Sequence, residues 1–169
     1  LHYGNWEWGG ALVSGIGYPI KVIVLEHKSR KVNKFFTDQR KVNRVKSIPV
    51  GAGVKECFKA LRKNEVIGIV GDKDYTNGGI AVDFCNKPAI MPKGPAAISL
   101  KTGAPVIVCI MQRQKNDNFI VFFEEAVAPE LSGDYATDLK NLMRTYLRIF
   151  EKYIYEDPGQ WYAFRKIWV

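Results

Sequence analysis

Cysteine is scarce in this chain, and what there is does not pair. The three cysteines, Cys57, Cys85 and Cys109, are odd in number and widely separated, so they form neither a disulfide framework nor a metal-binding spacing. Each lies among apolar neighbours, which reads as reduced core cysteine in a reducing compartment. Missing too is any run of about 18 consecutive apolar residues, the length a membrane-spanning helix needs, and no signal-peptide pattern stands at the start. Internal repeats, linkers and low-complexity tracts are absent, so 169 residues that are 47% hydrophobic and 25% charged are expected to build one globular domain. No nucleic-acid-binding motif occurs, and the lysines are scattered rather than banded, which argues against a nucleic-acid partner. Charge is nevertheless lopsided: 25 Lys and Arg against 17 Asp and Glu give a formal net charge of +8. By charge alone that balance suits nucleic acid, as a basic nucleic-acid-binding domain would, or an anionic membrane surface, a phosphorylated substrate or an acidic carrier protein.

What is present begins with His2-Tyr3-Gly4-Asn5-Trp6-Glu7-Trp8. A histidine and a carboxylate can work as one unit, the carboxylate orienting the imidazole while the free ring nitrogen takes a proton. No serine nucleophile lies in the segment, so the proton comes most simply from a substrate hydroxyl, and the natural reaction is transfer onto an alcohol. On a continuous helix a five-residue offset rotates the second side chain by about 140° from the first. The pair therefore needs a turn, which Gly4 and Asn5 supply. Glu7 then falls in the first turn of a helix running to Leu12, where the macrodipole favours a carboxylate. The plain alternative is a surface histidine followed by an ordinary helix-start acid.

Further along, Gly9 to Gly17 reads as a small-residue helix and Lys21 to Leu25 as a buried strand. Ser29 to Val45 is an amphipathic basic helix, either a solvated face or an electropositive rim for lipid phosphates or an acidic carrier. Lys46 to Val50 is a short strand, Gly53 to Lys63 a helix and Val66 to Val70 an apolar strand. This alternation predicts an α/β fold with a mostly parallel central sheet covered by helices. At the end of the last strand lies the polar loop Gly71-Asp72-Lys73-Asp74-Tyr75-Thr76-Asn77-Gly78-Gly79, where open α/β folds bind ligands. Asp72 and Asp74 invite a metal reading, since hard cations take oxygen ligands; turn chemistry explains them equally.

Ile80 to Cys85 alternates like a strand and leads into a Pro- and Gly-punctuated block that ends in a helix to Lys101. Pro95 suits the first turn of that helix and Gly103 its C-cap. Lys93 with the amides of Gly94 and Ala96 can hold an anion at the helix start, although packing alone accounts for the glycine and prolines. Val106–Gln112 and Phe119–Glu125 flank a turn-rich tetrapeptide and predict a hairpin. Asp134 to Tyr155 is a long amphipathic helix capped by Asp134, with Leu139, Leu142, Met143, Tyr146, Leu147, Phe150 and Ile154 facing the core.

The string HYGNWEWGG resembles the HxxxxE motif of the late acyltransferases of lipid A biosynthesis, within the lysophospholipid and lipid A acyltransferase superfamily. Three later stretches agree: the DKDY loop, the block from Cys85 to Val106, and the closing PGQWYAFRKIW. The second resembles the family's F-G-x-P-A-x-x-x-x-G-P-A…T-G-A-P-V signature, with Cys85-Asn86 in place of Phe-Gly. In the third, Gly159 stands where Glu is usual and Phe164 near where His is usual, so no catalytic role is carried over there. The resemblance implies a glycerolphosphate-acyltransferase-like fold, preceded in family members by a membrane anchor and first elements that lie outside this sequence. It implies an O-acyltransferase with His2 and Glu7 as the catalytic pair, no cofactor and no metal. Asp72 and Asp74 become loop-shaping or substrate-hydroxyl-binding residues. Arg40 is singled out on the basic helix because the family has an arginine there. Candidate donors to the oxyanion are the motif-loop amides and the Asn5 side chain. The implied donor is an acyl carrier protein or coenzyme A thioester, and the acceptor a membrane glycolipid at the cytoplasmic face of the bacterial inner membrane. A related mycobacterial phosphatidylinositol mannoside acyltransferase carries Asp at the position of Glu7, so Glu7 favours the lipid A branch.

Overall fold

The computed structural model describes residues 1–51 and 53–169. The chain forms two compact units: Glu7–Ile69 is one, and Leu1–Trp6 joins Val70–Val169 in the other. Helix α1 (Trp6–Gly15) carries the chain from the first segment into the Glu7–Ile69 unit.

That unit continues through β1 (Ile20–Val24), α2 (Arg30–Val42), β2 (Lys46–Pro49), α3 (Val54–Leu61) and β3 (Val66–Gly68). β1 lies in the middle and runs parallel to both neighbours, with Ile23 opposite Ile48 and Lys21 opposite Ile67. Parallel neighbours need long crossovers, and α2 and α3 provide them. The Lys21 ammonium is matched by Glu65 at 3.3 Å and Glu56 at 3.9 Å. α2 starts where the Ser29 hydroxyl accepts the Val32 N–H, as an N-cap does. It buries none of its residues. Val32, Phe35 and Val42 are exposed, beside exposed Lys31, Lys34 and Lys41.

The other unit contains β4 (Ile80–Phe84), β5 (Lys87–Met91), α4 (Gly94–Thr102), β6 (Cys109–Arg113), β7 (Phe119–Phe123), α5 (Tyr135–Glu156) and a 3₁₀ turn at Pro158–Gln160. Its core is the inner face of α5, where Leu139, Leu142, Met143, Tyr146, Leu147, Phe150 and Ile154 cluster with Val82, Phe84, Ala89, Met91 and Ile110. Their three- and four-residue spacing puts them on one stripe, and each fully buried large side chain contributes about 1.5–3 kcal/mol before entropy is counted. Asp134 caps α5 by accepting the Ala136 N–H. Pro95 stands in the first turn of α4, and Gly103 ends it at φ 75°.

Among the described residues parallel pairing extends over the three strands of one sheet, which corrects the expectation of a mostly parallel central sheet. β4 pairs with β5, and β6 with β7, antiparallel. The connections decide this. Phe84 and Lys87 are joined by Cys85 and Asn86 at φ 52° and 60°, the two left-handed residues of a type I′ hairpin, far too few for a crossover. The turn is tied to α5, whose Glu151 carboxylate accepts the Cys85 N–H at 2.6 Å. β5 hides in the sequence behind Pro88, which lacks an N–H; here Pro88 faces Asp83, and its carbonyl accepts the Val169 N–H at 3.1 Å. The β6–β7 hairpin forms as expected, with Met111 opposite Val121. Among the described residues no helix is long and apolar enough to cross a membrane.

Candidate active site

The opening segment is fixed by main-chain bonds. Tyr3 bridges Trp161 antiparallel and Gly4 bridges Met111 parallel. The Tyr162 N–H donates to the His2 carbonyl at 2.8 Å, and the Gly4 N–H to the Gln160 carbonyl at 2.9 Å. Between them the Tyr3 side chain is buried with its ring 6.4 Å from that of Tyr153. His2 is thus held on a short extended stretch rather than on a frayed end.

Its imidazole meets Asp72, from the loop after β3. Nδ1 lies 2.6 Å from Asp72 Oδ1, the His2 main-chain N–H donates to Oδ2 at 3.1 Å, and the Trp161 indole donates to Oδ2 at 2.9 Å. The Asp72 side chain is fully buried and that of His2 is 14% exposed. An ionised carboxylate only accepts, so Nδ1 carries a hydrogen, and in the neutral ring Nε2 keeps its lone pair. The edge of Trp6 closes one side, with ring centroids 4.9 Å apart.

Burial alone would raise the Asp72 pKa. Hydrogen bonds from the His2 ring and from the Trp161 indole oppose it, and the carboxyl lies well below the usual carboxylate range. A folded-state pKa depressed in this way stabilises the fold above the unfolded value of about 3.9 and is lost as pH falls through the folded value. The stability gap between the native protein and Asp72→Asn is measured by urea unfolding as the pH is lowered through the acid range. It should then narrow below about 4. A gap that persists undiminished in strong acid would show that Asp72 is not held as an anion.

Glu7, expected to orient His2, has a different partner. In the first turn of α1 it is gripped by the fork of Arg40 from α2, with Nε donating to Oε2 at 3.0 Å and Nη2 to Oε1. The Arg40 side chain is only 14% exposed, and its guanidinium also lies 5.6 Å over the Phe36 ring. The carboxylate on the imidazole Nδ1 is that of Asp72, because the main-chain bridges aim His2 at the loop after β3 while Glu7 already belongs to a helix. Arg40, expected at a phosphate-binding rim, is spent on this bidentate pair, a strong and geometrically specific one.

Asp74 shapes the loop. It accepts from the Thr76 N–H and hydroxyl, both at 2.8 Å, and from the Gly79 N–H at 2.7 Å. Burial pushes its pKa up, and these Thr76 and Gly79 bonds pull it further down. The carboxylates of Asp72 and Asp74 therefore have separate partners. Among the described residues no group of three His, Cys, Asp or Glu side chains converges as a ligand set. Lys93 is exposed immediately before α4 and makes no side-chain cap. Asn5 is half-buried. The Gly4 and Asn5 amides, named as oxyanion donors, already serve the carbonyls of Gln160 and, at 3.4 Å, Met111. Trp161 and Trp6 were not foreseen. The signal for Trp161 was its place in the closing string, since a buried indole N–H needs an acceptor; Trp6 carried none beyond lying inside the motif.

The family model for bacterial lipid A biosynthesis acyltransferase matches residues 1–169. The chain is similar to a phosphatidylinositol mannoside acyltransferase of Mycobacterium tuberculosis, 28% identical over 110 residues that make up 63% of this chain and 35% of that protein. It is also similar to the protein of that name from Mycolicibacterium smegmatis, 30% identical over 108 residues, 61% of this chain and 35% of the relative. The matched stretch spans 35% of the length of these curated relatives.

Proposed function

The chain belongs to the bacterial lipid A biosynthesis acyltransferase family, and on that premise we propose that His2 and Asp72 drive transfer of a fatty acyl chain from an acyl carrier protein or coenzyme A thioester to a hydroxyl of a lipid A precursor. The observation that carries this is the 2.6 Å contact of His2 Nδ1 with a fully buried carboxylate, which orients the ring and leaves Nε2 basic. Nε2 takes the hydroxyl proton as the oxygen attacks the thioester carbonyl. A C–O bond forms, the tetrahedral oxyanion collapses, the C–S bond breaks, and the imidazolium returns its proton to the departing thiolate. Asp72 stabilises the imidazolium between the two transfers. Glu7, locked to Arg40, fixes the first turn of α1, the helix that follows the motif in the chain. Asn5, Asp74 and Lys93 are proposed to contact substrate. A phosphatidylinositol mannoside acceptor is the second reading, favoured by the names of the two mycobacterial relatives.

The acceptor is a membrane lipid, so the site works against the inner leaflet of the bacterial inner membrane. α2 suits that surface: Lys31, Lys34 and Lys41 are exposed around exposed Phe35, and each cation near an anionic surface contributes about 1 kcal/mol. The test is acyl transfer by the full-length protein with each thioester, the lipid A precursor or the mannoside being presented in anionic or neutral vesicles. Transfer to the lipid A precursor is expected, faster from anionic vesicles and slowing as salt screens the charges. Transfer to the mannoside alone would move the substrate to the second reading, and transfer to neither would overturn acyl transfer. Equal rates from both vesicle types at every salt would remove the docking surface only.

A further inference from the structure

Aromatic rings lead in single file from the His2 imidazole to solvent. Trp6 meets His2 edge-on at 4.9 Å, Tyr162 meets Trp6 at 5.6 Å, and Phe164 meets Tyr162 at 6.0 Å. All four residues belong to the unit of Leu1–Trp6 and Val70–Val169. Exposure climbs along the row, from the 14% of the His2 side chain, through half-buried Trp6, to 40% at Tyr162 and 85% at Phe164. Tyr162 is anchored by its N–H bond to the His2 carbonyl, and the Ala163 N–H closes a local turn onto the Trp161 carbonyl at 2.9 Å. A phenylalanine 85% open gains almost nothing from burial where it stands, and with Tyr162 it extends an aromatic strip that begins at the imidazole.

We propose, on the acyl-transfer reading above, that Trp6, Tyr162 and Phe164 seat the acyl chain of the thioester donor. The chemistry selects the donor. The reacting carbonyl must lie beside the hydroxyl that Nε2 deprotonates, and the donor's methylenes begin at that carbonyl, so its chain leaves the site beside the imidazole, where the row starts. The acceptor brings a hydroxyl to the base, and the bulk of its apolar chains lies farther off. Ring geometry selects a flexible occupant. Successive rings are turned by 70° and 69°, so no single planar group stacks on both Tyr162 and its neighbours, whereas a polymethylene chain follows any apolar surface.

The experiment measures initial rates of the full-length enzyme with medium-chain and long-chain acyl thioesters on acceptors of two chain lengths, for Tyr162→Ala, Phe164→Ala and Phe164→Leu. Tyr135→Ala, an exposed tyrosine at the start of α5, is the control. Losing the contacts of two methylenes corresponds to roughly a tenfold change in affinity. The alanine variants are therefore expected to raise the KM of the long-chain donor roughly tenfold more than that of the medium-chain donor, with Phe164→Leu restoring most of the preference and Tyr135→Ala matching the wild type. Equal KM changes for both donors, a change that follows the acceptor's chains instead, or a lowered thermal midpoint with donor KM unaltered would each overturn the acyl seat and leave acyl transfer standing. A wild-type enzyme that transfers neither chain would overturn both.

Discussion

His2→Ala is expected to lower turnover of the full-length enzyme by roughly a hundredfold or more, the size of effect a lost general base produces. Asp72→Asn should fall almost as far for a different reason. The carboxylate accepts at Nδ1 and so keeps the lone pair on Nε2. An amide in its place can offer N–H to Nδ1, which moves the ring hydrogen to Nε2 and removes the base while leaving the shape of the site nearly intact. The amide also carries no charge to stabilise the imidazolium. Because the two residues act as a unit, the double variant should be little worse than either single one. Steady-state rates with an acyl-carrier donor check this, alongside a thermal midpoint showing that Asp72→Asn still folds. Near-normal turnover in His2→Ala would sink the mechanism. Full additivity of the two losses would break up the pair.

Sequence pattern exposed the elements whose stability is local. The α5 stripe repeats at helical spacing, Asp134 stands where a cap belongs, and Asn116-Asp117-Asn118 advertises the β6–β7 turn. Asp72 could be placed in a ligand-binding loop because it follows an apolar strand. Its partner could not be named. His2 and Asp72 are 70 residues apart, and Glu7 and Arg40 are 33 apart; contacts at that range leave no periodicity and depend on the chain having already folded. Proximity in the motif therefore suggested Glu7 as the carboxylate, when the backbone between the two residues leads them to different partners. The β4–β5 hairpin escaped for a related reason. Its turn uses Cys85 in a left-handed conformation that asparagine or glycine normally takes, so the usual two-residue signal is half missing, and Pro88 disguises the returning strand.

The largest loss of stability is expected from the smallest change in the motif, Gly4→Ala. Gly4 has φ +56°, and a Cβ there would sit 1.7 Å from the Met111 carbonyl oxygen and 2.9 Å from its carbon. Both are backbone atoms, so no rotamer change relieves the overlap. A left-handed conformation alone costs a non-glycine residue about 1–2 kcal/mol. The overlap must also displace the Gly4–Met111 bridge and strain the Gly4 N–H bond to the Gln160 carbonyl, so the total should exceed about 3 kcal/mol, a large share of a typical domain's 5–15 kcal/mol. Gly4 lies between His2 and Trp6, so whatever still folds should also turn over poorly, its imidazole no longer aimed at Asp72. Gly9→Ala supplies the contrast. Gly9 lies inside α1 with nothing within 4 Å of an added Cβ, and the substitution should stabilise the helix by up to about 1 kcal/mol. Urea midpoints of the three proteins decide the matter: if Gly4→Ala unfolds at the same denaturant concentration as the native chain, the tight passage past Met111 does not set the geometry of the motif.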